Sequence, residues 1–395
     1  MKIALLCSGL GHVARGHEVF ARGLFDLLRG EVDITLFKGG GEPAEREVVV
    51  ANLPRRAACL ERIHFTGSPH WAEAIREQER CRIEALTFAY AALRPLLEGG
   101  YDILHCLERE VCEVLYAHRH LFARVPRIVF SNGGAIPARS LPPCDHVQEH
   151  SAWNLRQSAR GKAFLIPHGV DPQRFHPGVP AGDFRTRHGI PADAPVAISV
   201  GTLCYWHKRT DHVIREVAAL PGWHLIAAGQ ENEDSPAIKA LAERLMPGRA
   251  HFVTLAHEDL PQAYAAADVF VLGSLFETFG IAYIEALAMG LPVFCTRHPN
   301  QQAIVQEGVF LDMKQPGALT AALRDTPAAR LDELRARGPQ IVQRDYDLRV
   351  LRAQYLQHYR RIAATPAQLP AWTLRRRIAA NLRNLLGRAG RVFGV

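Results

Sequence analysis

The sequence predicts an α/β protein of two doubly wound, Rossmann-like domains facing each other across a cleft. Three observations predict it. The chain has 395 residues, more than one hydrophobic core ordinarily organises. In each half, short continuous apolar runs alternate with amphipathic stretches, which is how a parallel sheet covered on both faces reads. The alternation stops and restarts across Pro167-His168-Gly169-Val170-Asp171-Pro172-Gln173-Arg174-Phe175-His176-Pro177, a segment rich in turn formers.

The first half begins with an apolar strand, Ile3 to Cys7, then Ser8-Gly9-Leu10-Gly11 and a helical stretch from about Gly16 to Leu28. Strands are expected at 32–37, 102–105 and 127–130. The second half restarts with Val196 to Val200, and further strands are expected at 223–228, 251–253, 269–272 and 292–295. The division that follows is 1–170 for the first domain and 178–345 for the second. A helix at 346–362 crosses back to the first domain, and a basic tail occupies 363–395. Ligands of such sheets lie at the carboxyl ends of the strands, here between the domains.

Composition narrows the functional classes. No segment approaches the roughly 20 apolar residues that span a bilayer. The N-terminal run lacks a cleavage site and passes straight into glycines, so it reads as a strand and the expected location is cytoplasmic. Eight cysteines without a C-x-x-C pair or zinc spacing read as reduced thiols. The net charge is +7, but the ten arginines beyond Asp347, with no acid or lysine among them, carry +10, which leaves the rest of the chain at −3. The body is therefore not a nucleic-acid binder by charge. In the tail, Leu374, Ile378, Leu382, Leu385, Ala389 and Val392 recur on one helical face, opposite Arg376, Arg377, Arg383, Arg388 and Arg391. Residues 370–395 thus read as a helix lying on an anionic membrane, suited to peripheral attachment.

The chemistry is carried by the run from Asp268 to Cys295, D-V-F-V-L-G-S-L-F-E-T-F-G-I-A-Y-I-E-A-L-A-M-G-L-P-V-F-C. A buried strand leads into a loop holding Glu277, Thr278, Phe279 and Gly280. A helix follows from Ile281 to about Met289, and Gly290 and Pro292 stop it. Gly280 at the helix start lets an anion approach unpaired N–H groups and the positive end of the helix dipole. A diphosphate docked there would have Glu277 on one side, within reach of a sugar, and Glu285 on the other, within reach of ribose hydroxyls.

This arrangement resembles the E-x7-E motif of family 4 (group 1) retaining glycosyltransferases, which have the GT-B fold. The resemblance covers most of residues 163–312. It is supported by His168-Gly169-Val170-Asp171 with Arg174-Phe175 and Pro177, similar to the family's N-G-V-D-x-x-x-F-x-P, and by Arg344 to Arg361, similar to its returning last helix. It implies that Glu277 and the Phe279-Gly280 backbone contact the donor sugar and that Glu285 binds the ribose. The stretch from Gly201 to Arg209 resembles the family's G-R-x(5)-K loop. Lys208 matches the lysine that neutralises the diphosphate, while Thr202 stands where the family has arginine, with Arg209 as a candidate replacement. The implied donor site is Gly11, Thr202, Lys208, Arg209, Glu277, Thr278, Phe279, Gly280 and Glu285, with Lys208 and Glu277 catalytic.

On the acceptor side the candidates are His12, Arg15, His105 and Asn132. Many members carry a histidine after the strand corresponding to 127–131, where this chain reads Ser131-Asn132-Gly133-Gly134. Asn132 could donate a hydrogen bond but cannot act as a base. No D-x-D lies on a suitable loop, Asp345-Tyr346-Asp347 falling where the last helix starts, so neither a metal nor another cofactor is expected. The nucleotide-sugar is a co-substrate. The implied activity is transfer of a hexosyl group from a nucleotide-diphosphate sugar to a glycan or lipid-linked acceptor. A GT-B nucleotide-sugar epimerase or hydrolase, or a catalytically weak sugar-nucleotide-binding protein, would share the cleft. A dehydrogenase fits poorly, since the first loop lacks G-x-G-x-x-G and no acid ends the second strand.

Overall fold

The computed structural model describes residues 1–13, 15–63 and 69–367, with side chains from 75 onward in the last segment. The N-terminal domain holds β1 (Lys2–Cys7), α1 (Gly16–Leu28), β2 (Asp33–Lys38), β3 (Glu47–Val49), α2 (Pro69–Gly99), β4 (Ile103–Cys106), α3 (Arg109–His118), β5 (Arg127–Ser131), β6 (His146–Glu149), α4 (Ala152–Gln157) and β7 (Ala163–Leu165). The C-terminal domain holds α5 (Phe184–Arg187), β8 (Val196–Val200), α6 (Thr210–Ala218), β9 (His224–Ala228), α7 (Ser235–Leu245), β10 (Ala250–Val253), α8 (Leu260–Ala265), β11 (Val269–Val271), α9 (Ile281–Ala288), β12 (Val293–Thr296), α10 (Pro299–Val305), β13 (Val309–Leu311), α11 (Ala318–Asp325) and α12 (Ala328–Asp345). The helix α13 (Leu348–Ala364) ends the described chain.

Every strand pairing is parallel. The first sheet runs β3-β2-β1-β4-β5-β6-β7 and the second β10-β9-β8-β11-β12-β13. In both, the first strand of the domain sits centrally and the order reverses beside it, so the crevice at that point lies at the carboxyl ends of the central strands. The strand cores explain the architecture. Ile3, Ala4, Leu5 and Leu6 are all fully buried, on both faces of β1, and Ile3 pairs with Ile103 in register. Such a strand cannot face water on either side, so helices cover both.

Among the described residues, two chain segments cross between the domains, and they run side by side. The linker after β7 forms a parallel bridge between Val170 and Asp347, with the Val170 N–H donating to the Tyr346 carbonyl at 2.9 Å. Expected as one run from about Arg344, the last helix instead breaks at Tyr346 and restarts at Leu348, where the Asp347 side chain accepts from the Arg349 N–H. That break turns α13 onto the N-terminal sheet. Leu351, Tyr355, Tyr359 and Ile362 are buried in one cluster with Ile3, Leu5, Ile34 and Ile103. Each such side chain contributes about 1.5–3 kcal/mol relative to exposure, so the returning helix belongs to the first domain's core. No described helix is long and apolar enough to cross a membrane. The expected membrane-binding face at 370–395 lies outside the described residues.

Candidate active site

The loop after β11 is held from behind. Thr296 Oγ1 donates to the Ser274 carbonyl at 2.6 Å, and Asn300 Nδ2 donates to the carbonyls of Glu277 at 2.6 Å and Thr278 at 3.0 Å. These anchors come from β12 and α10, which follow the motif by 20 residues or so, and nothing in the local sequence flagged them. The Asn300 carboxamide oxygen accepts from Ser151 Oγ across the cleft at 2.6 Å, and Ser151 also caps α4. One asparagine therefore joins the Glu277 loop to the N-terminal domain.

Gly280 takes a left-handed conformation with φ 79° at the start of α9. A Cβ there would lie 2.8 Å from the Tyr283 ring, so a side chain would displace the first turn. Phe279 beside it is buried and meets the His168 ring edge-on at 4.8 Å. Thr278 is partly exposed, its carbonyl taken by Asn300 and, at 3.4 Å, by Asn154. The Tyr283 N–H donates to the Gly280 carbonyl at 2.9 Å, which leaves the Ile281 and Ala282 N–H groups at the start of α9 without a helical acceptor.

The two glutamates are both buried and differently held. Glu277 Oε1 accepts from Lys208 Nζ at 2.6 Å and from Ser274 Oγ at 2.5 Å, and His207 Nε2 lies 3.6 Å from Oε2. Burial pushes the His207 imidazole below its usual value, and Lys208 adds to that against the pull of Glu277. Glu285 instead accepts from Tyr264 Oη at 2.8 Å and pairs with His257 Nε2 at 2.8 Å. The hydrogen bond to Glu285 raises the His257 pKa against desolvation, and burial together with Glu285 holds the Tyr264 hydroxyl protonated. The spacing of the glutamates was legible in the sequence. Their partners Ser274, His207, Tyr264 and His257 were not, apart from Lys208. A cavity of about 490 Å³ opens beside Glu285, between α1, the linker and α13, and includes His257, Arg174 and Ile281.

The other donor-side candidates separate. Thr202 is exposed at the end of β8 and carries no charge to the cleft. Arg209 is a correction. It caps α6 in a left-handed conformation with φ 49°, and its guanidinium donates to the carbonyls of Met313 at 2.7 Å and Gly273 at 3.3 Å. The turn that aims Lys208 at Glu277 sends its neighbour the other way, and Arg209 ties two loops together. Gly11 has φ 90°, and a Cβ on it would overlap the Gly40 carbonyl, so it is required by the close approach of two loops.

On the N-terminal side, two expectations are overturned. His105 is fully buried, bonded through Nδ1 to Tyr359 Oη at 2.6 Å, and burial lowers its pKa to about 3. It anchors α13 and cannot meet an acceptor. Asn132 is buried too: its amide donates to Glu149 and the Ile136 carbonyl and accepts from the Ile136 N–H at 2.8 Å, which shapes the loop after β5. His12 pairs with Asn52 at 2.9 Å, and Arg15 forms an exposed ion pair with Glu77 at 3.2 Å. Behind the first loop stand two charged groups that sequence reading missed. Ser8 N–H and Oγ donate to Glu108, His17 Nε2 lies 3.5 Å from the same carboxylate, and Arg55 bridges Glu84 and Glu18. Cys7, His17 and Glu108 are the one His/Cys/Asp/Glu group with mutual distances within 4.8 Å among the described residues. Burial keeps the Cys7 thiol protonated, and Ser8 already holds Glu108, so these three do not make an open ligand set.

Two doubly wound parallel sheets, meeting at a cleft with a lysine–glutamate pair and a helix N-terminus on its C-terminal wall, define the GT-B class of architecture. Solved structures agree on the fold. Sucrose-phosphate synthase from Thermosynechococcus elongatus superposes with a TM-score of 0.73 at 21% identity, covering 92% of this chain and 99% of that one. Anabaena HepE in complex with UDP and glucose gives 0.68 at 16% identity, covering 91% and 99%. Residues 182–337, within the C-terminal domain, match the family described as Glycosyl transferases group 1. D-inositol 3-phosphate glycosyltransferase of Mycobacterium tuberculosis (strain ATCC 25618 / H37Rv) is 29% identical over 241 residues, 53% of this chain and 50% of the relative. The chain thus spans about half the length of the curated relatives it matches.

Proposed function

We propose that this protein transfers a hexosyl group from a nucleotide-diphosphate sugar to a glycan or lipid-linked acceptor with retention of anomeric configuration. The observation that carries the reading is the pair of buried, differently partnered glutamates flanking the N-terminus of α9, one of them in contact with Lys208. The diphosphate sits on the α9 N–H groups beside Lys208, Glu277 orients the donor sugar, and Glu285 accepts from ribose hydroxyls. That a solved GT-B neighbour is described in complex with UDP and glucose supports the donor class.

In the reaction, an acceptor hydroxyl oxygen attacks the anomeric carbon on the face from which the diphosphate leaves. The bond between that carbon and the phosphate oxygen breaks with its electron pair on the diphosphate, and the departing phosphate oxygen takes the hydroxyl proton. Catalysis is then stabilisation of charge on the leaving group by Lys208 and the helix end, where one preorganised donor is worth about 2.7–4 kcal/mol. No divalent metal takes part in this scheme. The basic tail brings the enzyme to an anionic membrane from the cytoplasmic side.

The test is turnover of UDP-, GDP- and ADP-sugars by the purified chain, with the anomeric product read by NMR. Inverted product, or full loss of activity in chelator, would overturn the scheme. Donor incubated alone that yields an epimer would replace transfer with epimerisation.

A further inference from the structure

We propose that His17, on the first turn of α1 with Glu108 behind it, donates to the donor diphosphate and links donor binding to proton uptake. The inference rests on the donor site described under Proposed function and adds an N-terminal contact to it. Three distances place the imidazole. A Cβ on Gly16 would lie 4.0 Å from Ile281 Cδ1, so the first turns of α1 and α9 meet across the cleft. A diphosphate on the α9 N-terminus must therefore lie against the first turn of α1. His17 Nε2 points back to Glu108 Oε1 at 3.5 Å, and Nδ1 lies 3.7 Å from the Cβ position of Gly133, a glycine on the loop after β5. The side chain is about one-third exposed, 34%, whereas Glu108 beside its Nε2 is 13% exposed.

The surroundings favour the charged ring. Burial works against the imidazolium, but Glu108 and then Glu18 outweigh it and raise the His17 pKa, with Arg55 opposing. Arg55 is itself committed to Glu84 at 2.5 Å. The other titratable groups near the ring are the protonated Cys7 thiol at the end of β1 and the neutral rings of His150 and His168. Arg15 on the same turn is drawn off to Glu77. Protonated at both nitrogens, His17 directs Nε2–H to Glu108 and has Nδ1–H left for a phosphate oxygen. The α1 N-terminus adds its dipole to the same anion.

The experiment is calorimetric titration with UDP-glucose, GDP-mannose and ADP-glucose, whose diphosphate diesters do not titrate near neutrality. Each is run from about pH 5.5 to about pH 8.5, in two buffers of different ionisation enthalpy. The wild type takes up a proton on binding, and its affinity falls about tenfold across that range, the equivalent of a one-unit shift in pKa on binding. His17→Gln, checked for an unchanged melting temperature, binds without proton uptake and equally at both ends. Glu108→Gln moves the fall in affinity to lower pH, because the carboxylate that holds the imidazolium is gone. A pH-independent wild-type affinity, or unchanged proton uptake in His17→Gln, overturns the inference. If that happens while Lys208→Ala still abolishes binding, the donor site stands. If none of the three sugars binds, the donor site and the inference fall together.

Discussion

The two walls of the cleft are built in opposite ways. On the C-terminal wall the glutamates, Lys208, His207 and Ser274 come from two short runs, 207–208 and 274–285, with only Tyr264 and His257 brought in from elsewhere, and each glutamate has its own partners: a cation and a serine for Glu277, that tyrosine and histidine for Glu285. On the N-terminal wall they come from five separate places: Glu108 holds Ser8 and pairs with His17, and Arg55 pairs with Glu84. The contrast shows where chemistry can be conserved within a motif and where it depends on tertiary assembly. A helix start needs a local sequence to exist. Paired side chains need only that distant strand ends converge.

Substitution of Lys208 probes the first wall most severely. Lys208→Met should lower turnover by about a hundredfold or more, from the loss of one preorganised donor. It should also lower the melting temperature, since the buried Glu277 carboxylate loses its cation. Adding Glu277→Gln should restore the melting temperature but not turnover. A double variant that regained activity would break the assignment of both residues.

Gly280→Ala comes next. At φ 79° and 2.8 Å from the Tyr283 ring, the added Cβ costs about 1–3 kcal/mol of backbone strain. The strain is relieved by moving the N–H groups proposed to receive the diphosphate, so donor KM should rise by about the tenfold that each 1.4 kcal/mol represents, with the fold retained by circular dichroism. An unchanged KM would remove the helix end from the donor site.

The ribose end gives a smaller and pH-dependent effect. The folded-state pKa of His257 is raised by its bond to Glu285. Its contribution to stability is therefore fully present below the unfolded value and is lost as pH rises through the raised one. Thermal melts of wild type and His257→Gln should differ on the acid side and converge on the alkaline side. A difference that grew with pH would reverse the sign of the interaction.

The smallest effect is expected from Tyr359→Phe. It removes the hydrogen bond to His105 at 2.6 Å and should cost about 1 kcal/mol of stability, with no change in donor or acceptor kinetics. Altered acceptor KM would return His105 to the cleft and blur the division between the two walls.

Much of the fold was legible. The strand at 196–200 and the helix starts at Gly16 and Ile281 stand where the apolar periodicity and the loop glycines put them. Of the candidate site, Glu277, Gly280, Glu285 and Lys208 converge on one helix end. Arg209, His105 and Asn132 do not join them, because residue type and strand-end position do not say which way a side chain turns. A left-handed turn redirected the first, the returning helix α13 buried the second, and a loop consumed the third.

The sequence by itself determined two covered parallel sheets, since fully apolar strands leave no face for water. It also determined the glycine-led start of α9 and the two glutamates around it, because the glycine and the glutamates are set by positions along one short run. Only the tertiary structure decided which distant groups stand behind them. Asn300 behind the Glu277 loop, His257 on Glu285, and Glu108 behind His17 are pairings across 20 to 90 residues, fixed by how the sheets stack and where strand ends meet. Local propensity has no range over such separations, whereas packing does.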